Sequence, residues 1–170
     1  MKVLNVEIKA SCDDPARIRD ILESCDARCL GRDHQIDTYY VVEEGRLKLR
    51  EGDIENTLIR YHRPDHAGPK RSDVELFKTE RDSGLKDVLE SFLERLVVVD
   101  KLREIYFIDN VKFHIDEVHG LGGFIEIEAI DKDGTRSEAV LQQQCEHFLE
   151  LLAIPEENLL TDSYSDMLLR

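Results

Sequence analysis

The run Arg46-Leu47-Lys48-Leu49-Arg50 alternates strictly between cation and leucine. Residues two apart on a strand share a face, so this run sets three positive charges on one side and two leucines on the other. The same parity recurs along the chain. Asn5, Glu7 and Lys9 oppose Val6 and Ile8; Lys101 and Arg103 share a face; Lys112, His114 and Asp116 oppose Phe113 and Ile115; Glu126 and Glu128 oppose Ile125 and Ile127; Asp37 faces away from Ile36 and Thr38. Any one such strand is what a half-solvated antiparallel sheet produces. The sorting by sign is different, because one strand is purely basic and another purely acidic. A solvated face would mix signs and use more Thr, Ser and Gln. A closed barrel with a polar lumen accounts for the sorting. Small barrels ordinarily fill the lumen with apolar side chains, so a polar one implies a cavity for a charged ligand.

The rest of the chain supplies elements for such a barrel. Strands are predicted at 2–10, 36–42, 46–50, around Thr57–Tyr61, and at 73–79, 97–107, 110–118 and 124–130, with Glu43-Glu44-Gly45 and Asp109-Asn110 as turns. Asp13-Asp14-Pro15 carries a helix-capping pattern ahead of Ile18, Ile21, Leu22 and Cys25 at helical spacing. Further helices are predicted at 83–96 and 137–152, with a short one after Pro155 and a turn or helix at 162–169. Pro64, Gly68 and Pro69 make 63–73 a long hairpin loop carrying Lys70 and Arg71. The layout is α+β, mostly antiparallel, without repeats, low-complexity tracts or a dividing linker.

Composition narrows the function classes. With 170 residues and 41% hydrophobic content the chain suits one domain with a real core. It carries 23 Lys+Arg against 37 Asp+Glu, a net charge of −14, which disfavours DNA and anionic membranes as partners. No apolar run is long enough to span a bilayer, and the first residues do not read as a signal peptide, so a cytoplasmic location is expected. Four cysteines without a CxxC pair read as reduced, buried thiols; Cys25, Cys29 and His34 have poor spacing for zinc.

The inventory of the sorted strands then specifies chemistry. Several Lys and Arg in one lumen bind a polyanion. Carboxylates beside them would repel it unless they hold a bridging divalent cation. Bases plus an acid-held Mg²⁺ or Mn²⁺ suit a triphosphate. Neither a P-loop, a dinucleotide fingerprint nor a nucleophile elbow is present. Lys112 and His114 read equally as lumen lining or as a structural hydrogen-bond network, and Tyr164 reads as a packing residue.

These segments also carry a resemblance. Asn5-Val6-Glu7-Ile8-Lys9 resembles the ExExK strand of the CYTH superfamily, the triphosphate tunnel metalloenzymes. Further segments follow in the family's order: 34–40 (HQIDTYY), 45–51 (GRLKLRE), 100–106 (DKLREIY), 113–118 (FHIDEV), 124–128 (FIEIE) and 163–169 (SYSDMLL). Their style is similar to the branch containing class IV adenylyl cyclases. The resemblance implies a single domain over 1–170, an eight-stranded antiparallel barrel with helices outside. Triphosphate would sit on Lys9, Lys48, Arg50, Arg60, Lys101 and Arg103, a set to which Lys112 is added. Glu7, Glu126 and Glu128 would hold Mg²⁺ or Mn²⁺, with Lys9 and Asp116 in catalytic roles. The implied reaction is ATP to cyclic AMP and pyrophosphate. The alternatives are hydrolysis of tripolyphosphate, thiamine triphosphate or a nucleotide, or a nonenzymatic nucleotide or polyphosphate sensor. Either a monomer or a homodimer is compatible. Asn5 stands where the motif has its first Glu, which removes a charge from the metal side.

Overall fold

In the computed structural model, which describes residues 2–62 and 69–170, eight antiparallel strands close into a barrel. They are β1 (Lys2–Ser11), β2 (Arg28–Tyr40), β3 (Arg46–Glu51), β4 (Thr57–His62), β5 (Lys70–Lys78), β6 (Arg95–Ile108), β7 (Val111–Val118) and β8 (Gly122–Asp131). The order around the barrel is β1-β5-β4-β3-β2-β6-β7-β8, closed by β8 against β1. Four helices lie outside: α1 (Pro15–Ser24), α2 (Leu85–Phe92), α3 (Glu138–Leu151) and α4 (Tyr164–Leu168).

Alternation decides which way each strand faces, and here the apolar faces point outward. Val6 and Ile8 of β1, Phe113 and Ile115 of β7, and Ile125 and Ile127 of β8 form the main core with Ile18 and Leu22 of α1 and Leu141, Cys145 and Leu152 around α3. α1 begins where the sequence signals it, with Asp14 capping the amide of Arg17 and Pro15 in the first turn. Because this apolar face lies under helices, the opposite, charged face is the lumen.

Several boundaries move. β2 starts at Arg28 rather than 36, since a register shift between Cys29 and Gly31 breaks the alternation that marks a strand. The helix at 83–96 shrinks to Leu85–Phe92. Its apolar stripe buries no residue, and Leu93 turns extended to feed β6. β5 begins at Lys70, so Lys70 and Arg71 belong to a strand and not to a loop. The loop's Pro64, His66 and Gly68 lie outside the described residues. Buried Lys70 donates to the carbonyls of Leu160 and Thr161, holding the chain ahead of α4.

Candidate functional site

The lumen opens into one cavity of about 760 Å³, within the size range of small-molecule sites. Its lining has two characters. Lys9, Lys48, Arg50, Lys101, Arg103, Lys112, Glu7, Glu126 and Glu128 supply charge, while Ile59 and Tyr61 of β4 and Val74 and Leu76 of β5 form an apolar wall.

The charges are held in three knots. In the first, Asp37 of β2 is 1% exposed and takes three cations at once. Arg50 binds it bidentately through Nε and Nη2 at 2.8 and 2.9 Å, Lys48 at 2.9 Å and Lys101 at 2.8 Å. Burial opposes ionisation of this carboxyl, yet Arg50, Lys101 and Lys48 outweigh it and hold its pKa well below the usual range. Lys101 pays in the other direction: burial, with Arg50, Arg103 and Lys48 nearby, overrides Asp37 and brings its pKa down to about 7.

The second knot joins β1, β6, β7, β8 and α4. Arg103 grips Asp116 through Nε at 2.7 Å and Nη2 at 2.5 Å, and Nη2 also reaches Glu126 at 2.7 Å. Lys9 meets the other oxygen of Glu126 at 3.1 Å and lies 3.7 Å from the centroid of the Tyr164 ring. The Tyr164 hydroxyl donates to Asp116 at 2.7 Å. Register makes this possible, since Glu126 pairs with Lys9 on one side and His114 on the other, and Glu128 with Glu7 and Lys112. Burial pushes the Glu128 carboxyl up to about 7, with Glu7 and Glu126 adding to it against Lys112.

The third knot comes from outside the strands. Glu55, on the β3–β4 loop, accepts from Arg50 at 3.1 Å, from Gln35 at 3.2 Å and from Lys112. The loop is built to present it: buried Asp33 accepts the amides of Ile54 at 2.9 Å and Glu55 at 3.0 Å. Gly52 is required by this packing, because a Cβ there would stand 2.7 Å from Asp33 Oδ1 and 2.8 Å from the Glu55 carbonyl. Gly52→Ala is expected to cost about 1–3 kcal/mol, read as a drop of several degrees in melting temperature; an unchanged melting curve would refute the packing argument.

Most of the predicted site residues meet in this cavity: Lys9, Lys48, Arg50, Lys101, Arg103, Lys112, Glu7, Glu126 and Glu128. Arg60 does not. Ile59 and Tyr61 take the inward positions of β4, so Arg60 points out and pairs with Glu75 at 3.5 Å, both about half exposed. Asp116 is buried beneath the cavity as the partner of Arg103 and Tyr164, not as a group facing a ligand. Arg46 leaves the lumen to bind Ser163, Ser165 and Asp166, fastening α4. Tyr164, expected only to pack, also lines the cavity. Sequence reasoning assigned no role to Asp37, though its parity with Asp33, Gln35 and Tyr39 on β2 marks it as inward. It missed Glu55 entirely, since a loop has no periodicity to read.

His114 is 1% exposed and lines the cavity. Its Nδ1 lies 3.1 Å from Glu126 Oε2, while its Nε2 is buried without a hydrogen-bond partner. His114, Glu126 and Glu128 each offer a ligand atom within 4.8 Å of the others. Asn5 Oδ1 is likewise buried and unpartnered at the cavity wall. Burial, then Arg103 and Lys112, bring the His114 pKa down to about 3, so the imidazole is neutral near pH 7.

A closed antiparallel barrel whose lumen carries paired bases and acids, with its hydrophobic core outside, defines a tunnel of the triphosphate type. The CYTH domain model matches residues 4–164, and the chain belongs to that family. It is 26% identical to "Putative adenylate cyclase MJ0240" of Methanocaldococcus jannaschii, over 97% of this chain and 98% of that one. Among solved structures, the PH1012 protein of Pyrococcus horikoshii superposes with a TM-score of 0.81 at 20% identity, covering 95% and 98% of the two chains. HpAC1 of Hippeastrum, described as a "putative adenylyl cyclase" with a dominant triphosphatase activity, superposes with a TM-score of 0.64 at 16% identity, covering 96% and 93%.

Proposed function

We propose that this protein is a divalent-metal-dependent enzyme that converts ATP to cyclic AMP and pyrophosphate within the tunnel. The observation that carries this reading is the two-sided cavity, a cationic arc from Lys9 to Lys112 facing an apolar wall at Ile59, Val74 and Leu76. The arc suits a triphosphate and the wall a purine; an inorganic polyphosphate would leave the wall without a partner. The name of the archaeal relative agrees with this reading.

The charge balance supports a metal-bound ligand. Lys9, Lys48, Arg50, Lys101, Arg103 and Lys112 face Glu7, Asp37, Glu55, Asp116, Glu126 and Glu128, so the bases of the lumen are already offset. A triphosphate entering with a divalent counter-cation disturbs that balance less than the bare anion would. The donors fit such an ion: the Glu126 and Glu128 carboxylates close together, Glu7 across from Glu128, and unpartnered oxygen at Asn5 Oδ1. Bound there, a divalent cation would polarise the α-phosphate. Lys48, Arg50, Lys101 and Arg103 would offset charge developing on the leaving pyrophosphate as the 3′-hydroxyl attacks. Arg103, clamped by Asp116, would keep its guanidinium fixed throughout.

A second reading, hydrolysis of the triphosphate by water, draws on the triphosphatase activity named for HpAC1 and on Asn5, which removes one carboxylate from the metal side. Product analysis after incubation with ATP and Mg²⁺ or Mn²⁺ decides between them. Cyclic AMP with pyrophosphate is expected; ADP with phosphate would transfer the assignment to hydrolysis, and binding without any product to a sensor.

Two predictions concern the cationic arc. Lys101, with its pKa near 7, regains a proton when a polyanion lies against it. Its pKa is then higher in the complex than in the free protein, so tripolyphosphate binding takes up a proton and weakens as pH rises from about 6.5 to 8.5. Calorimetry in buffers of different ionisation enthalpy should show that uptake, and a pH-independent affinity would refute it. Glu55→Gln removes an anion from Arg50 and Lys112. Tripolyphosphate should then bind about tenfold more tightly, an effect of roughly 1.4 kcal/mol that fades with salt.

A further inference from the structure

The inward residues of β1 run Lys9, Glu7, Asn5, Val3 away from α4: Lys9 lies against the Tyr164 ring, and all four line the cavity. The neighbouring strands change character at the same level. On β8, Glu126 and Glu128 give way to Ile130, which pairs with Asn5. On β5, Ser72 pairs with Asn5 and Val74 with Val3, and Leu76 beyond them pairs with Ile59 of β4. Asn5 therefore stands where the charged lining ends and the apolar wall begins. Its side chain is neutral and 8% exposed, and its Oδ1 is buried without a hydrogen-bond partner. Ser72, beside it, donates its hydroxyl to the carbonyl of His62 at 3.4 Å, and Ile130 has no polar side-chain atom to offer. An orphaned buried acceptor is costly, and a ligand donor arriving from the cavity removes that cost.

We propose that Asn5 reads the nucleobase, its carboxamide pairing with the N6 amino group and N7 of adenine and so selecting ATP over GTP. The inference deepens the reading given above and rests on its placing the nucleoside against the apolar wall. A nucleotide has the same order as the lining, charged phosphates followed by a neutral nucleoside. A carboxamide offers one acceptor and one donor side by side, the complement of the N6–N7 edge of adenine. Guanine presents two acceptors there, O6 and N7, so Oδ1 would face an oxygen that cannot donate. That mismatch leaves a buried polar group unpaired, which is how a hydrogen-bonding site rejects the wrong ligand. A carboxylate at this position would have no donor for N7 and would bring a charge to the apolar wall. The same oxygen could face the cation, yet Glu7, Glu126 and Glu128 already offer three carboxylates, and a neutral amide adds no charge to them.

The test uses the full chain and calorimetry in metal-free buffer, so that binding is read apart from turnover and from any cation. ATP should bind at least about tenfold more tightly than GTP. Asn5→Leu keeps the shape and removes both hydrogen-bonding atoms. It should bring the two nucleotides to equal affinity through a loss of about tenfold for ATP, with tripolyphosphate binding retained and the melting temperature no lower than that of the wild type. Equal ATP and GTP affinities in the wild type, or a preference for ATP that survives Asn5→Leu, would overturn the assignment; survival together with weakened Mg²⁺ binding would return the oxygen to the cation. Should Asn5→Leu fail to fold, the wild type decides with 7-deaza-ATP, which lacks N7 and should bind more weakly than ATP; equal affinity would overturn the pairing. Tripolyphosphate binding without any preference between the nucleotides sinks the base reading alone. No binding of tripolyphosphate or of either nucleotide sinks the triphosphate reading, and this inference with it.

Discussion

Asp37→Asn is expected to lower the melting temperature by roughly 10 °C. The side chain keeps its shape and loses only its charge, but that charge is shared by Arg50, Lys48 and Lys101, with Asp37 1% exposed and Lys101 2%. Removing one partner of a buried ion cluster leaves cations desolvated without compensation, at a cost of about 3–5 kcal/mol, or some 2–4 °C per kcal/mol for a domain of this size. Part of the loss is offset because Lys101 can shed its proton. A polyanion restores what the mutation removes, so tripolyphosphate should raise the melting temperature of the variant more than that of the wild type. Thermal unfolding with and without tripolyphosphate is the measurement. An unchanged melting temperature would mean that these cations do not depend on Asp37.

Glu128→Gln should separate the chemistry from the fold. Turnover of ATP is expected to fall by at least about 10²–10³-fold, the scale of several kcal/mol of transition-state stabilisation. Folding should be spared or improved, because this carboxyl is buried near other acids and its charge is disfavoured in the free protein. Arg103→Ala is a poorer test than the sequence suggests. Arg103 binds both Asp116 and Glu126, so its removal takes a cation from each, leaving buried Asp116 with only the Tyr164 hydroxyl among its side-chain hydrogen bonds, and confounds lost activity with lost structure. Steady-state rates together with melting curves for Glu128→Gln check the claim; wild-type turnover would remove Glu128 from the reaction.

The barrel and most of its lining were legible because strand parity is a strict rule. Once Val6, Ile8, Phe113, Ile115, Ile125 and Ile127 are assigned to one side, the charged residues between them must share the other. Parity fails where its origin is uncertain. Arg60 sits among Thr57, Leu58, Ile59 and Tyr61, a strand without a clean polar face, and only the pairing of Ile59 with Lys48 and Leu76 fixes its direction. Glu55 was illegible for another reason: its position depends on Asp33 capturing two loop amides, a contact with no periodic trace. Nor does sequence separate a residue facing the ligand from one bracing it. Asp116 has the parity of a lumen residue, yet both its oxygens are occupied by Arg103 and Tyr164.

The pairing of β1 with both β5 and β8 has a consequence for how the molecule comes into being. A chain emerging from its N-terminus can form the β2–β3–β4 meander from local contacts, but Lys9 cannot meet Glu126 until nearly the whole sequence exists. Loop closure of that span has to precede its reward, which places ring closure late in folding and makes it slow. Until then the charged faces are wet and separate, and the hydrophobic strip of β1 has no lid. With a net charge of −14, chains whose ring is still open would repel one another.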